Sequence, residues 1–362
     1  MRKLFSQLYF MKYLIPFLVI LLISEVCYAQ KDNIYDNYEV FDSHYHLTNY
    51  IQEGPDIHQH LKLMGDKVGR CAIFGLPLQQ MWSYANSGDD APTYYLESDA
   101  PLYYYSFTDA YIAMQYLSLT DEEKLRFDPM ITGFNPADMY GVDHIKRVLK
   151  TFPGVFSGIG EFSIHKEFVS AKIAGGPASL LNPALDSILK FAGEAGLVVL
   201  MHNDIDKPFP KAKTKNYLDQ ITEVFRRHND ATIIWAHIGL GRIVRPVAHQ
   251  IDIIKTMLDD PTLSHVYFDI SWTEVAKYIV RNDSTAQGTA DLINAYPDRF
   301  LFGTDEVGST SQESYLNIYY MYKPLWEKLT PDAREKVKKG NYKRLFDAAR
   351  VKVREWEAAN KN

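Results

Sequence analysis

Cysteine is nearly absent from this chain of 362 residues, which has only Cys27 and Cys71. Cys27 falls in an N-terminal stretch that reads as a leader, so Cys71 is left alone in the apolar "RCAIFGL". An intramolecular disulfide is thereby excluded from the mature chain, and Cys71 is expected to be a buried, inert thiol. A basic stripe is also missing. The formal net charge is −6, from 39 Lys+Arg against 45 Asp+Glu. Residues 1–29 hold Arg2, Lys3, Lys12 and one acid, Glu25, so their removal leaves 36 against 44, or −8. A protein that grips a phosphate backbone needs a cationic footprint, so no nucleic-acid partner is expected. No glycine-rich phosphate fingerprint follows the first strand-like run, which weakens an open doubly wound nucleotide-binding sheet as the alternative fold.

Long apolar runs are scarce too. The longest near the N-terminus, "YLIPFLVILLI" (Tyr13 to Ile23), is short for a bilayer span. It follows basic residues and precedes "CYA" (Cys27 to Ala29), whose small residues suit a signal peptidase. Residues 1–29 therefore read as a signal peptide cut near Ala29, with Met1 or Met11 as the start. An uncleaved anchor is the competing reading. The expectation is an exported protein, periplasmic or secreted and bacterial, with residues 30–362 as one domain, no stable membrane span after processing, and a homo-oligomer open.

What the chain does have is a recurring short apolar run. Eight occur: "EVFDSHYH" (39–46), "RCAIFGL" (70–76), "DPMITGF" (128–134), "FSGIGEF" (156–162), "LVVLMH" (197–202), "TIIWAH" (232–237), "HVYFDIS" (265–271) and "RFLFGTD" (299–305). Most are continuously apolar, as strands covered on both faces must be. Amphipathic segments such as "VDHIKRVLKTF", "LNPALDSILKFAGEAG", "NYLDQITEVFRRH" and "RIVRPVAHQIDIIKTML" lie between them. In the second of these, Asn182 with Pro183 opens a helix and Gly196 closes it. Thr330 and Pro331 open a C-terminal helical region that packs outside the strands. Eight strand–helix units predict an α/β fold, a (β/α)8 TIM barrel. A Tyr-rich insertion follows the second strand, around residues 79–108, and reads equally as a rim cover and as a substrate lid.

Polar residues interrupt these runs at their C-terminal ends. His44 and His46 end the first, with Asp42 on the same strand face by alternation. Glu161 ends the fourth, His202 the fifth, His237 the sixth and Asp305 the eighth. Each has an ordinary structural reading: a core histidine, a Glu161–Lys166 ion pair, a helix-capping Asp305. Six together at one barrel mouth point to a divalent metal, one or two ions of zinc, manganese or iron. His165, Lys166, Arg242 and Trp272, with Asn203 and Asp204, are candidates for touching a small-molecule substrate. The facing of Asp269 is ambiguous. His58, His60, His144, His228 and His249 read as solvated or structural.

The HxH after strand one, the histidines after strands five and six and the aspartate after strand eight resemble the amidohydrolase superfamily of metal-dependent barrels, over essentially all of the mature chain. "WAHIGLGR" and "GNYKRLF" resemble its amidohydrolase-related branch, which mixes hydrolases with nonhydrolytic decarboxylases. "GIGEF" is similar to TatD-type members, whose glutamate after strand four bridges two metals. The resemblance implies that His44, His46 and Asp305 hold one ion, that His202 and His237 hold a second, that Glu161 bridges them, and that Asp305 is the general base. It implies a metal-activated water that cleaves an amide, ester or lactone. The alternatives are a mononuclear decarboxylase, a TatD-like phosphodiesterase and, outside enzymes, a degenerate barrel that binds a glycan or other small ligand.

Overall fold

The computed structural model describes residues 35, 37–175, 178–207, 216–241, 247 and 249–361. The expected signal peptide at 1–29 and the candidate Arg242 lie outside the described residues. The chain separates into Met1–Glu39 and Val40–Asn362. In the first, the Tyr38 amide closes a turn on the Tyr35 carbonyl at 3.2 Å. All that follows concerns the second. No helix among the described residues is long and apolar enough to cross a membrane.

One parallel sheet carries the fold. Its strands are β1 (Val40–His46), β2 (Val68–Phe74), β5 (Phe127–Ile131), β6 (Gly158–Ser163), β7 (Val198–His202), β8 (Thr232–Trp235), β9 (Val266–Asp269), β10 (Phe300–Leu301) and β11 (Glu306–Val307). The order β10-β9-β8-β7-β6-β5-β2-β1-β11 begins on the last apolar run and ends on β11, the two residues that directly follow it. β10 pairs with β9 and β11 pairs with β1, both parallel, so the ladder closes on itself. The Ser43 amide to the Phe302 carbonyl at 3.1 Å and the Asp305 amide to the His44 carbonyl at 2.7 Å bridge the gap between β10 and β11. The result is an eight-staved TIM barrel, and each expected run supplies one stave. β1, β2, β5 and β7 are buried along their whole length. That is why they read as continuous apolar runs and not as alternating ones.

The helices follow their local signals. The Asn182 side chain accepts from the Ala184 amide, Pro183 opens the helix Pro183–Ala195, and Gly196 ends it in the left-handed region at φ 74°. Thr330 caps Pro331–Glu335, and the long helix Asn341–Ala359 packs on the barrel. Of the last of the four expected helices, the described residues form Gln250–Asp259.

The insertion between the second and third staves, residues 75–126, is structured. β3 (Leu78–Gln80) and β4 (Leu102–Tyr104) form an antiparallel pair. Tyr50, Leu76, Leu78, Tyr95, Leu102, Val169 and Ile173 make a small core of their own. The helix Phe107–Leu117 anchors it to the third stave, where Asp109 accepts the Thr132 and Gly133 amides at 2.7 and 3.0 Å. Cys71 is buried beside the Tyr315 hydroxyl. His60 is wholly buried, stacked on Tyr45 at 3.9 Å, so it is structural and not solvated.

Candidate active site

The six polar residues that end strand runs meet at one mouth of the barrel. Two glycines let them do so. A Cβ on Gly160, which sits at φ 118°, would lie 2.0 Å from the Leu200 carbonyl oxygen, so the turn into Glu161 needs glycine. A Cβ on Gly303 would lie 2.7 Å from the His44 Cβ, so only glycine lets the last stave approach the first.

His44 Nε2 stands 3.1 Å from Asp305 Oδ1 and 3.6 Å from Glu161 Oε2. His46 Nε2 stands 3.1 Å from Asp305 Oδ1 and 3.2 Å from Glu161 Oε2. His237 Nε2 lies 3.7 Å from Glu161 Oε1 and 3.8 Å from Asp305 Oδ2. His202 Nδ1 lies 2.8 Å from Glu161 Oε1. One donor atom from each of His44, Glu161, His237 and Asp305 falls within 4.8 Å of all the others.

The outward nitrogens are held by the next layer, which decides which nitrogen points inward. His44 Nδ1 donates to Asp269 Oδ2 at 2.8 Å. His237 Nδ1 donates to Ser271 Oγ at 2.8 Å, and that hydroxyl donates to Asp269 Oδ1 at 2.6 Å. Asp269 therefore orients both rings and leaves both Nε2 atoms for the centre. His202 Nε2 donates to Asp204 Oδ1 at 2.8 Å, which leaves Nδ1 as its inner atom. The inward Nε2 atoms of His44 and His237 are buried and make no geometrically proper hydrogen bond. Buried nitrogens without such a partner, converging on two carboxylates, are what a divalent cation requires.

Electrostatics agree. Burial opposes the charge on Glu161, yet Lys166 and the surrounding histidines hold its carboxyl well below the usual range. Burial likewise opposes charge on Asp305, and His44 and His237 hold it well below its ordinary value. Burial pushes His237 down and so favours the neutral ring that ligates. His44 is also opposed by burial but is pushed up by Asp305 and Asp269. A bound cation would replace the proton they attract. The backbone is strained here: His237, Ile238, Trp272 and Asp305 take φ of 58°, 49°, 80° and 52°. Such outliers persist where surrounding structure over-determines them, and active sites are the usual place.

Other candidates fare differently. Lys166 is buried, with Nζ 3.1 Å from Glu161 Oε1, so the ordinary ion pair read from the sequence does form. Trp272 packs its ring 4.9 Å from His237 and lines the site. His165 stacks on Tyr217 at 3.9 Å, and burial pushes it down to about 4. Asn203 is buried, its side-chain amide donating to the Asp204 carbonyl at 2.9 Å. Asp42 does not join the cluster, contrary to the strand-alternation expectation. The β1–β2 register shifts between Asp42 and Tyr45, and its carboxylate takes the Thr304 hydroxyl at 2.7 Å and the Tyr315 hydroxyl at 2.9 Å. Sequence reasoning left Asp269 open and missed Ser271. These residues stand two apart at the end of a strand run, the same spacing that singled out His44 and His46.

A family model described as Amidohydrolase matches residues 56–348. The chain belongs to the amidohydrolase family. The match begins after β1, so His44 and His46 rest on their geometry alone. Among solved structures, an amidohydrolase from Burkholderia multivorans with bound zinc superposes with a TM-score of 0.53 at 11% identity, covering 85% of this chain and 99% of that one. An uncharacterized TIM-barrel protein from Bordetella bronchiseptica gives 0.52 at 15%, covering 86% and 99%. A putative 2-pyrone-4,6-dicarboxylic acid hydrolase from Pseudomonas putida gives 0.51 at 11%, covering 86% and 98%. At such identities the likeness is one of fold. No curated protein matches this chain. Membership makes it an enzyme of the amidohydrolase superfamily.

Proposed function

We propose that this amidohydrolase is an exported, divalent-metal-dependent hydrolase that cleaves an amide, ester or lactone in a small molecule. The observation that carries the reading is the set of inward donor atoms of His44, Glu161, His237 and Asp305, all within 4.8 Å of one another. His46 adds a nitrogen 3.1 Å from the same Asp305 oxygen. This donor set suits zinc, with manganese or iron as alternatives, and the zinc in the Burkholderia multivorans structure supports that choice.

The expected pairing of His237 with His202 on a separate ion is not what the geometry favours. His237 shares its donor group with His44, while Glu161 Oε1, the oxygen beside His202, already faces the Lys166 ammonium. This supports one tightly held ion, with Lys166 supplying the positive charge that a second ion would bring. The TatD-like role of Glu161 as a bridge is correspondingly less supported.

When bound, such an ion lowers the pKa of its water toward neutrality and polarises the scissile carbonyl. The chain does the rest. Asp305, ionised beside His44 and His237, takes the proton from the attacking water and returns it to the leaving group. Asp269 and Ser271 keep the histidine nitrogens turned inward. Trp272 and the buried staves exclude bulk water, which strengthens every charge interaction inside.

The test is a panel of lactones, esters, amides, phosphodiesters and aromatic carboxylic acids, offered to protein stripped by chelation and then reloaded with zinc or manganese. Acid release that needs the reloaded ion is expected. Carbon dioxide release would establish the decarboxylase instead, and phosphodiester cleavage the TatD-like activity. No turnover by any metal form would leave a ligand-binding barrel.

A further inference from the structure

The insertion at 75–126 reaches the site through Glu167, whose side chain and backbone amide each make a hydrogen bond in the path. Tyr95 is wholly buried, and its hydroxyl donates to Glu167 Oε2 at 2.9 Å. Glu167, itself buried, donates its backbone amide to Asp204 Oδ2 at 3.1 Å. The other oxygen of Asp204 takes His202 Nε2 at 2.8 Å, and His202 Nδ1 meets Glu161 Oε1 at 2.8 Å. Both oxygens of Asp204 are thus committed, one toward the insertion and one toward the centre.

The path is confined by its surroundings. Glu167 sits at φ 36°, a conformation an L-residue holds only when clamped. The clamp is visible: Lys172 Nζ reaches the Tyr95 and Ser98 carbonyls, and the Ala174 amide donates to the Leu102 carbonyl at 2.8 Å. On the far side, a Cβ on Gly241 would stand 2.5 Å from both Asp204 carboxylate oxygens, so this carboxylate has little room to turn.

We infer that the insertion is a built part of the active site, in which Tyr95 and Glu167 are positioning residues that hold Asp204 and, through it, the orientation and tautomer of His202. This rests on the reading of the site as a metal centre. A carboxylate held on both oxygens keeps the imidazole in one pose. Released on one side, it can rotate and let His202 turn away from Glu161, whose Oε1 its Nδ1 meets at 2.8 Å. Partners that hold a metal-site ligand such as Glu161 from outside change metal affinity or activity by about 10- to 100-fold. Tyr95 acts one link further out, so its share is smaller.

The experiment measures zinc affinity by chelator competition, with melting temperature in parallel. Tyr95→Phe removes one hydroxyl and keeps the ring packed on Tyr50 and Tyr94. It is expected to weaken zinc by about 3- to 10-fold with little change in melting. Glu167→Ala should weaken it at least as much. Glu167→Gln, which retains an oxygen for Tyr95 to donate to, should recover most of the loss. Asp204→Asn should show the largest effect, and adding Tyr95→Phe to it should weaken zinc little further, because the two act on one path. Wild-type zinc affinity in both Tyr95→Phe and Glu167→Ala, alongside a loss in Asp204→Asn, would overturn the inference while leaving the metal reading intact. A wild-type chain that takes up no zinc would overturn both.

Discussion

Asp305→Asn is expected to lower kcat by about 10²- to 10⁴-fold while the folded protein persists. Asparagine is the informative replacement because Asp305 sits at φ 52°, a region Asn and Gly tolerate better than other residues. Its backbone amide, which donates to the His44 carbonyl at 2.7 Å, is unaffected. What the amide side chain cannot do is accept a proton from water or present a full negative charge to a cation. The Asp305 side chain, 7% exposed, lies 3.1 Å from both His44 and His46. Steady-state kinetics on the substrate found by the panel, with melting as control, checks this. Turnover within about threefold of wild type would remove Asp305 from the role of base.

The largest stability effect is expected at the opposite end of the barrel. Arg70 on β2 and Asp128 on β5 are both buried and form a fork, with Arg70 nitrogens 2.9 to 3.1 Å from the carboxylate oxygens. Arg350 Nε adds a bond at 2.6 Å and the Tyr342 hydroxyl one at 2.7 Å, both from the helix Asn341–Ala359. Burial opposes charge on Asp128, but Arg350 and Arg70 hold its carboxyl below the ordinary value. Asp128→Ala removes the buried carboxylate that faces the Arg70 guanidinium, while the Arg70–Asp347 contact stays. Breaking a buried pair from one side typically costs about 3–5 kcal/mol. Denaturant midpoints should register that loss. A midpoint shift of less than about 1 kcal/mol would show that the network is replaceable. Because the folded pKa of Asp128 lies below the unfolded one, its contribution is present at neutral pH and is lost only as pH falls below the ordinary 3.8.

These two ends of the molecule were unequally legible from sequence. The staves were legible because a strand buried on both faces has to be apolar throughout, and a polar residue at its end stands out. His44, His46, Glu161, His202, His237 and Asp305 could be named for that reason. Asp42 misled because alternation assumes an unbroken register, and β1 breaks its pairing between Asp42 and Tyr45. Asp269 and Ser271 carried the right spacing, but their importance lies in holding two rings from distant parts of the chain. Arg70 with Asp128, 58 residues apart, and Tyr95 with Glu167, 72 apart, are products of closure. No local pattern marks a side chain for a partner that only the tertiary fold delivers. Lys166 was legible as a partner of Glu161, but its bearing on the number of ions appears only when its ammonium is seen beside the oxygen that His202 also uses.

The central claim is a one-ion centre with a built-in ammonium, and elemental analysis tests it most directly. Protein purified without chelators, together with a His44→Ala His237→Ala double variant, is measured for divalent metal per chain. One ion per wild-type chain and none in the double variant is the predicted result. Two ions per wild-type chain, falling in Glu161→Ala, would replace the one-ion centre with the bridged pair. Wild-type protein that neither retains nor takes up metal would contradict the account altogether.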